Sequence, residues 1–314
     1  MSDDAADLRR RVPRLRWSRV LISLPAVVVA SFFVLGVLGP ALAPYDPVDT
    51  DLAAVLHPPE AGHPLGTDHL GRDELSRLLA AARTSLEATV AVAAIALTVG
   101  LGVGLVAARA GGRVDEVLMR ATDLFLGLPV LVVALALLGI LGSGFWNLVL
   151  ALSVSWWPPY ARLARGIVAV ETRKPYVEAL GLLGVPRIRV LVRHLLPPAL
   201  GPSLVLLSTD AGNIVLMVAT LSFLGLGITP PTPEWGQMLV DARPYLQTAT
   251  YLMLWPALSI TLVVLGANLL GERLAARLLV GAEAPRTSLQ ARFGWGRPRA
   301  VDRNERESEA TIVG

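Results

Sequence analysis

Apolar residues in this chain gather into long uncharged runs instead of stripes at helix or strand spacing. Val20 to Ala43 is one such run, Ala88 to Ala108 a second. Leu124 to Ala161 is uncharged for too long to be a single helix, and Gly142-Ser143-Gly144 breaks it in two. A fifth run covers about Leu200 to Leu224, interrupted by Asp210, and a sixth covers Pro244 to Gly271. A bilayer core of about 30 Å takes roughly 20 helical residues. Bare backbone polar groups are too costly in lipid for any other open structure. The pattern predicts an all-α integral membrane protein with about six spanning helices, near 20–43, 84–108, 122–141, 145–166, 200–224 and 247–271.

Charge orients the bundle. With the N-terminus in the cytoplasm, 24 of the 28 basic residues fall on the cytoplasmic side. Only Arg72, Arg77, Arg83 and Arg243 fall outside. Basic residues accumulate in cytoplasmic loops, so both termini are expected inside. The chain then divides into a basic segment (1–19), a membrane domain (20–275) and a polar tail (276–314). Within the membrane domain lie an outer loop at 44–83 and an inner loop at 170–198. The tail is rich in Arg, Glu, Gly and Pro and reads as disordered. The first run has a basic leader and ends in Ala41-Leu42-Ala43, as a cleaved signal would. It exceeds the usual 7–15 residues of a signal core, so an uncleaved anchor is expected.

Composition agrees with lipid as the solvent: 54% of residues are hydrophobic and mean hydropathy is +0.57. Absence of cysteine excludes disulfides and thiolate metal sites. Lys174, the one lysine, follows Arg173. A phosphate-cradling loop needs Gly-Lys followed by Ser or Thr, so no such loop exists here. If ATP drives this protein, a separate chain binds it, and no cofactor is expected in this one.

The inner loop carries the most information. It reads Lys174-Pro-Tyr-Val-Glu-Ala-Leu-Gly-Leu-Leu-Gly-Val-Pro-Arg-Ile-Arg-Val-Leu-Val-Arg-His-Leu-Leu-Pro197. Pro175 suits the first helical position and Gly184 the position just past a helix end. Pro186 opens a second helix, and Pro197-Pro198 is expected to close it. Tyr176, Val177, Leu180 and Leu183 form one apolar stripe; Ile188, Leu191, Val192 and Leu195 form another. Such a helix pair either lies passively on the inner leaflet or carries force between a soluble motor and the spanning helices.

A resemblance favours the second reading. Glu178-Ala179, then Gly184, then Leu196-Pro197 resembles the coupling loop of ABC importer permeases, although Leu180 stands where that family usually has a second alanine. His63-Pro-Leu-Gly66-Thr67-Asp68-His-Leu-Gly71-Arg72-Asp73 is similar to a hallmark of the second, C-type permease of dipeptide, oligopeptide and nickel importers. So is Leu221-Ser-Phe-Leu-Gly-Leu-Gly227 followed by Pro230-Pro-Thr-Pro-Glu-Trp-Gly236. With Asn268-Leu-Leu-Gly271, the resemblance covers about residues 20–275; the family's charged ending is lost at Ala275-Ala276.

The resemblance implies a type I ABC importer fold in the bacterial cytoplasmic membrane. It implies peptide translocation, with nickel as the alternative substrate. It also implies a homologous permease partner, two ATPase subunits that bind ATP and magnesium, and an extracytoplasmic solute-binding protein. Tyr176, Glu178, Ala179, Gly181, Gly184, Arg187, Leu196 and Pro197 become the expected ATPase-coupling residues. The outer stretch becomes a folded lip where the binding protein docks, with Gly66 and Gly71 at its turns.

Weaker signals stand beside these. His57, His63 and His69 recur every six residues, which does not stack them on a helix face, so no metal site is expected. Trp157, beside Pro158-Pro159, is either an interfacial anchor or part of a kinked path. Asp210 and Asn213, one turn apart within an apolar run, are candidates to line the pore. An intramembrane serine protease would need a serine and histidine face to face, yet all four histidines lie outside the runs. A secondary transporter would show inverted repeats and more intramembrane charge. The chain is therefore expected to be no enzyme.

Overall fold

The computed structural model describes residues 17–283, and side chains for 25–276. Most of the basic segment lies outside these residues, as does the tail from 284 on; 276–283, expected to be disordered, continue the last helix. Among the described residues the chain is helical, with a single isolated bridge between Thr67 and Asp73. Contacts divide the chain after Ala275, and the second unit is described only as the last turns of a helix. The helices are α1 (Trp17–Leu42), α2 (Glu74–Ala110), α3 (Gly112–Leu126), α4 (Val130–Leu141), α5 (Phe145–Trp156), α6 (Pro158–Thr172), α7 (Pro175–Leu182), α8 (Arg187–Phe223), α9 (Trp235–Ala242) and α10 (Tyr251–Glu283).

Four helices, α1, α2, α8 and α10, are each long and apolar enough to cross a membrane. A fifth crossing would be the pair α3 and α4, bent by 94°. The fourth run, expected near 145–166, is split: α5 has 12 residues, too short alone, and α6 continues it past Trp157. The backbone at Trp157 remains helical, but Pro158 and Pro159 lack the amide hydrogens that would continue the ladder.

The third run departs from expectation. A helix near 122–141 was the reading; instead α3 begins at Gly112 and ends at Gly127. Pro129 disfavours a helical conformation in the residue before it, and α4 starts afresh at right angles. Residues 112–126 bear Arg113, Asp115, Glu116, Arg120 and Asp123, so an apolar-run criterion passes over them.

α2 also starts before its apolar run. The Asp73 carboxylate accepts from the Ser76 amide at 2.8 Å and caps the helix. At 1.5 Å per residue the 37 residues extend roughly 55 Å, well beyond the bilayer core. α2 packs against α1, α3, α5, α6, α8 and α9. The largest core joins Ala88, Val92 and Ala96 of α2 to Leu138 of α4, Leu148 and Leu152 of α5, Tyr160 of α6 and Ile214 and Val218 of α8. Gly100 and Gly104 sit against α6, where a β-carbon would lie 2.6 Å from the Trp157 carbonyl or 2.5 Å from that of Ala161. Small residues four apart allow this backbone approach.

Pro197-Pro198 does not end the second inner-loop helix. That helix runs on as α8, through a widened turn at Leu191–Leu195 in which the Leu196 amide bonds to the Leu191 carbonyl, five residues back. The widened turn lies directly before the two prolines, which have no amide hydrogen to donate to the carbonyls within it.

Candidate functional site

Two built regions lie at opposite ends of α2. The one called inner, after the orientation expected from charge, is the junction of α6, α7 and α8. Lys174, in extended conformation, precedes α7, and Pro175 occupies the first turn. At the far end Gly184 has φ +69°. Its amide bonds to the Gly181 carbonyl at 3.1 Å, and the Val185 amide to the Leu180 carbonyl at 3.1 Å. This paired closure needs a left-handed residue. Open space surrounds the position a Gly184 side chain would take, so backbone conformation, not crowding, selects glycine.

The base of α7 is tied to the end of α6. The Tyr176 hydroxyl donates to Glu171 Oε1 at 2.5 Å, and Lys174 Nζ lies 2.6 Å from Glu171 Oε2. These two donors hold the Glu171 carboxyl below the usual carboxylate range, and the same carboxylate raises the Tyr176 phenol. The Tyr176 ring lies 6.3 Å from that of His194 in the widened turn. Val177, Leu180 and Val185 pack inward onto Val190, Leu195 and Ala199 of α8 and Val168 of α6. Leu196 packs there too, and Pro197 is exposed.

Part of the expected stripe points the other way. Leu183 is 78% exposed, Ile188 67% and Val192 54%, and Leu182 beside them is 85% exposed. The turn at Gly184 redirects the chain, so residues in helical register before it no longer share a face with those after it. The result is an apolar tip ringed by exposed Glu178, Ala179, Gly181 and Arg187. Exposed aliphatic groups of this kind mark contact surfaces.

α6 also pairs with α3. Arg165 bonds both oxygens of Asp115, at 3.0 and 2.5 Å, and Arg162 pairs with Asp123. The polar cleft between them is lined by Met119 and Gly166 as well.

The outer region is the stretch His63 to Asp73. Gly66, Thr67, Asp68, Gly71, Arg72 and Asp73 are all buried. Gly71 has φ +74°, and a side chain there would strike the Asp51 carbonyl. Asp68 accepts from the amides of Leu70 (2.8 Å) and Arg72 (3.0 Å) and from Arg72 Nε (2.7 Å); Arg77 Nε lies at 3.3 Å. Arg77 and Arg72 also reach Asp241 of α9, at 3.4 and 3.7 Å. His63 Nδ1 lies 2.9 Å from Asp73, the α2 cap. Thr67 accepts from the His57 amide at 2.9 Å and donates to the Ala54 carbonyl. Tyr251 of α10 donates to the His57 and Thr67 carbonyls at 2.8 and 3.1 Å. A cavity of about 10 Å³, room for one water, is bordered by Asp68, His69, Glu74, Arg77 and Asp241.

The three spaced histidines diverge: His57 faces Glu60, His63 is taken by Asp73, and His69 stacks on Tyr245. Among the described residues no three ligating side chains converge.

The mid-chain candidates do not form one site. Asp210 accepts from the Tyr160 hydroxyl at 2.9 Å. Asn213 is exposed on α8, and Trp157 stands edge-on to Phe125 at 5.8 Å.

Glu234 and Asp241 escaped the sequence reading. Glu234 is fully buried, caps α9 through the Gln237 amide at 3.0 Å and accepts from Ser85 of α2 at 3.3 Å. Burial raises its carboxyl. An acidic residue after Pro-Thr-Pro and before a short helix is a capping signal; its long-range partner leaves none.

Comparison with known proteins adds the following. Residues 100–280 match the family described as binding-protein-dependent transport system inner membrane component. The nickel transport system permease protein NikC of Escherichia coli (strain K12) is 41% identical over 259 residues, 82% of this chain and 92% of that protein. The di/tripeptide transport system permease protein DppC of Pseudomonas aeruginosa (strain UCBPP-PA14) is 40% identical over 241 residues, 75% and 80% of the two chains. The probable D,D-dipeptide transport system permease protein DdpC of E. coli (strain K12) is 38% identical over 247 residues, 79% and 83%.

Proposed function

The chain belongs to the binding-protein-dependent transport system inner membrane components, and from that premise we propose that it forms half of a peptide-translocating pore, closed by a homologous but distinct permease. As an ABC importer permease of the peptide and nickel family it is a multi-pass protein of the bacterial cytoplasmic membrane. It works with ATPase subunits and a solute-binding protein. Its own part is conformational. ATP and magnesium belong to the ATPase chains, and this subunit makes and breaks no bond.

One observation carries the reading: an exposed tip formed by Leu182 and Leu183 at the end of α7 and Ile188 at the start of α8, with α7 bonded at its base to α6 and packed on α8. The tip enters a groove of the ATPase. Closure of the ATPase pair on ATP moves α7. Tyr176 and Glu171 pass that movement to α6, and Arg165 and Asp115 pass it to α3. α8 carries it across the membrane without a break. The bundle shifts between two arrangements because the motor binds them with different energies.

Peptide as the substrate rests on the relatives DppC and DdpC, because the outer motif is common to peptide and nickel permeases. Nickel is the second reading, which NikC favours. Asp210 fits either cargo, since an ammonium and a metal cation both seek a carboxylate. Paired uptake of a labelled dipeptide and labelled nickel in a strain lacking this gene decides between them. Restoration of nickel uptake alone would overturn the peptide assignment. A cysteine at Glu178 is expected to cross-link to the ATPase in intact cells. Its failure to capture any nucleotide-hydrolysing neighbour would overturn the coupling role.

A further inference from the structure

Glu74 opens α2 directly behind its cap, Asp73, and is 2% exposed. Its Oε1 atom is buried and has no hydrogen-bond partner among the described residues. The same holds for Nδ1 of His69. Both residues border the cavity of about 10 Å³ between the lip and α9, which Asp68, Arg77, Asp241 and the apolar Met238 and Leu252 help to close.

The basic side chains nearby are already engaged. Arg72 and Arg77 lie on Asp68 and Asp241, and His63 lies on Asp73, so three aspartates meet three basic groups and Glu74 meets none. An ionised carboxylate buried without a partner costs far more than a protonated one. Glu74 stands in the lip, outside the span expected near 84–108. Burial holds its carboxyl well above the ordinary glutamate range, and the Arg77 guanidinium offsets this only in part. A neutral carboxylic acid carries one O–H donor, which a buried site has to satisfy. A cavity of this size holds one water, and His69 and the carboxylates of Asp68 and Asp241 border it.

We propose that Glu74 is a neutral acid donating to one water lodged beside His69, and that this proton latches the lip onto α9 and α10. Ionisation would set a fourth carboxylate against Asp68, Asp73 and Asp241 with no cation left to meet it. The charged and titratable groups facing Glu74 are Asp68, His69, Arg72 and Asp73 of the lip, Arg77 of its own helix, Asp241 of α9 and Tyr251 of α10, with Tyr245 behind His69. Tyr251 has no hydrogen to spare, because it donates to the His57 and Thr67 carbonyls. The rival arrangement is an imidazolium at His69 against an ionised Glu74. The folded chain holds the Glu74 proton more tightly than the unfolded chain does. The latch is therefore complete below the ordinary glutamate pKa and is lost as pH rises through the higher folded-state value.

The test uses the full-length chain purified in detergent. Between about pH 5 and about pH 9 the melting midpoint of the wild type is expected to fall as pH rises. Glu74→Gln keeps a neutral donor of nearly the same shape. It is expected to flatten that slope and to melt at or above the wild type at the alkaline end. Infrared difference spectra at neutral pH, wild type minus Glu74→Gln, are expected to show the carbonyl stretch of a protonated acid at its hydrogen-bonded position. A Glu74→Gln variant that melts below the wild type at the alkaline end, or that keeps the full slope, would overturn the latch. So would a carboxylate band in place of the acid band, which is the result the His69 rival requires. An acid band at the unbonded position would remove the water. None of these readouts involves transport, so they stand or fall apart from the assignments of substrate and motor.

Discussion

The outer lip and the inner coupling element are each organised around a left-handed glycine, yet they are stabilised in opposite ways. Around Gly71 the side chains are buried and charged, and Asp68, Arg72, Arg77 and Asp241 bind one another across three segments. Around Gly184 the side chains are exposed and mostly apolar, and the element rests on a few bonds at its base. A network of desolvated ions resists distortion, since breaking any one pair strands a charge. A short helix with an open tip yields as a unit. The lip is therefore built to present a fixed shape, and the inner element to be moved.

The sharpest way to break this contrast is Arg77→Met. It leaves the Asp68 and Asp241 carboxylates to Arg72 alone, a loss near the lower end of about 3–5 kcal/mol. The expected outcome is a steep drop in membrane level and in the melting midpoint of the purified protein. A stable variant would mean the lip is not held by its ions.

Gly184→Ala comes next. Forcing a β-carbon into the left-handed region costs roughly 1–2 kcal/mol. Because space is available, the protein should remain in the membrane while uptake falls. Asn, which tolerates that conformation better, should recover part of the uptake, measured as solute transported per ATP hydrolysed.

Tyr176→Phe removes a hydrogen bond worth about 1 kcal/mol. It is expected to lower transport per ATP without changing protein level. The same link has a pH signature. The Glu171 carboxyl is depressed by Lys174 and Tyr176, so its contribution is complete above the ordinary glutamate pKa. It is lost only as pH falls through the lower folded-state value. Coupling in the wild type should hold steady near neutral pH and weaken on strong acidification; Glu171→Gln should remove that acid limb.

The smallest effect is expected at α3. The Arg165 and Asp115 pair is partly exposed and contributes under about 1 kcal/mol. Arg165→Asp or Asp115→Arg alone should reduce coupling modestly, and the two together should restore it. Failure of the double variant to recover would show that α3 does not follow α6.

Local chemistry made part of this legible in advance. Pro175 and Gly184 bracket α7 because both act within one turn. The folded outer lip was implied by the family resemblance, with Gly66 and Gly71 suited to its turns. Other features depend on distant partners. Asp241 gains its role only when α9 meets Arg72 and Arg77, and Glu234 only when it meets Ser85. α3 was passed over because its charged residues broke the apolar pattern, although they pair with α6. The helix continues through Pro197-Pro198 behind a widened turn that lies directly before them, which no local rule for proline states. Spacing groups Leu183 and Ile188 with apolar neighbours on two stripes, yet beside the turn between those stripes both are exposed.

The length of α2 has a mechanical consequence. One rigid rod is clamped by the lip at Asp73 and seated against α6 at Gly100 and Gly104, near the motor side. With the roles proposed above for lip and tip, one pushrod joins the seat of the receptor to the helix that the engine moves.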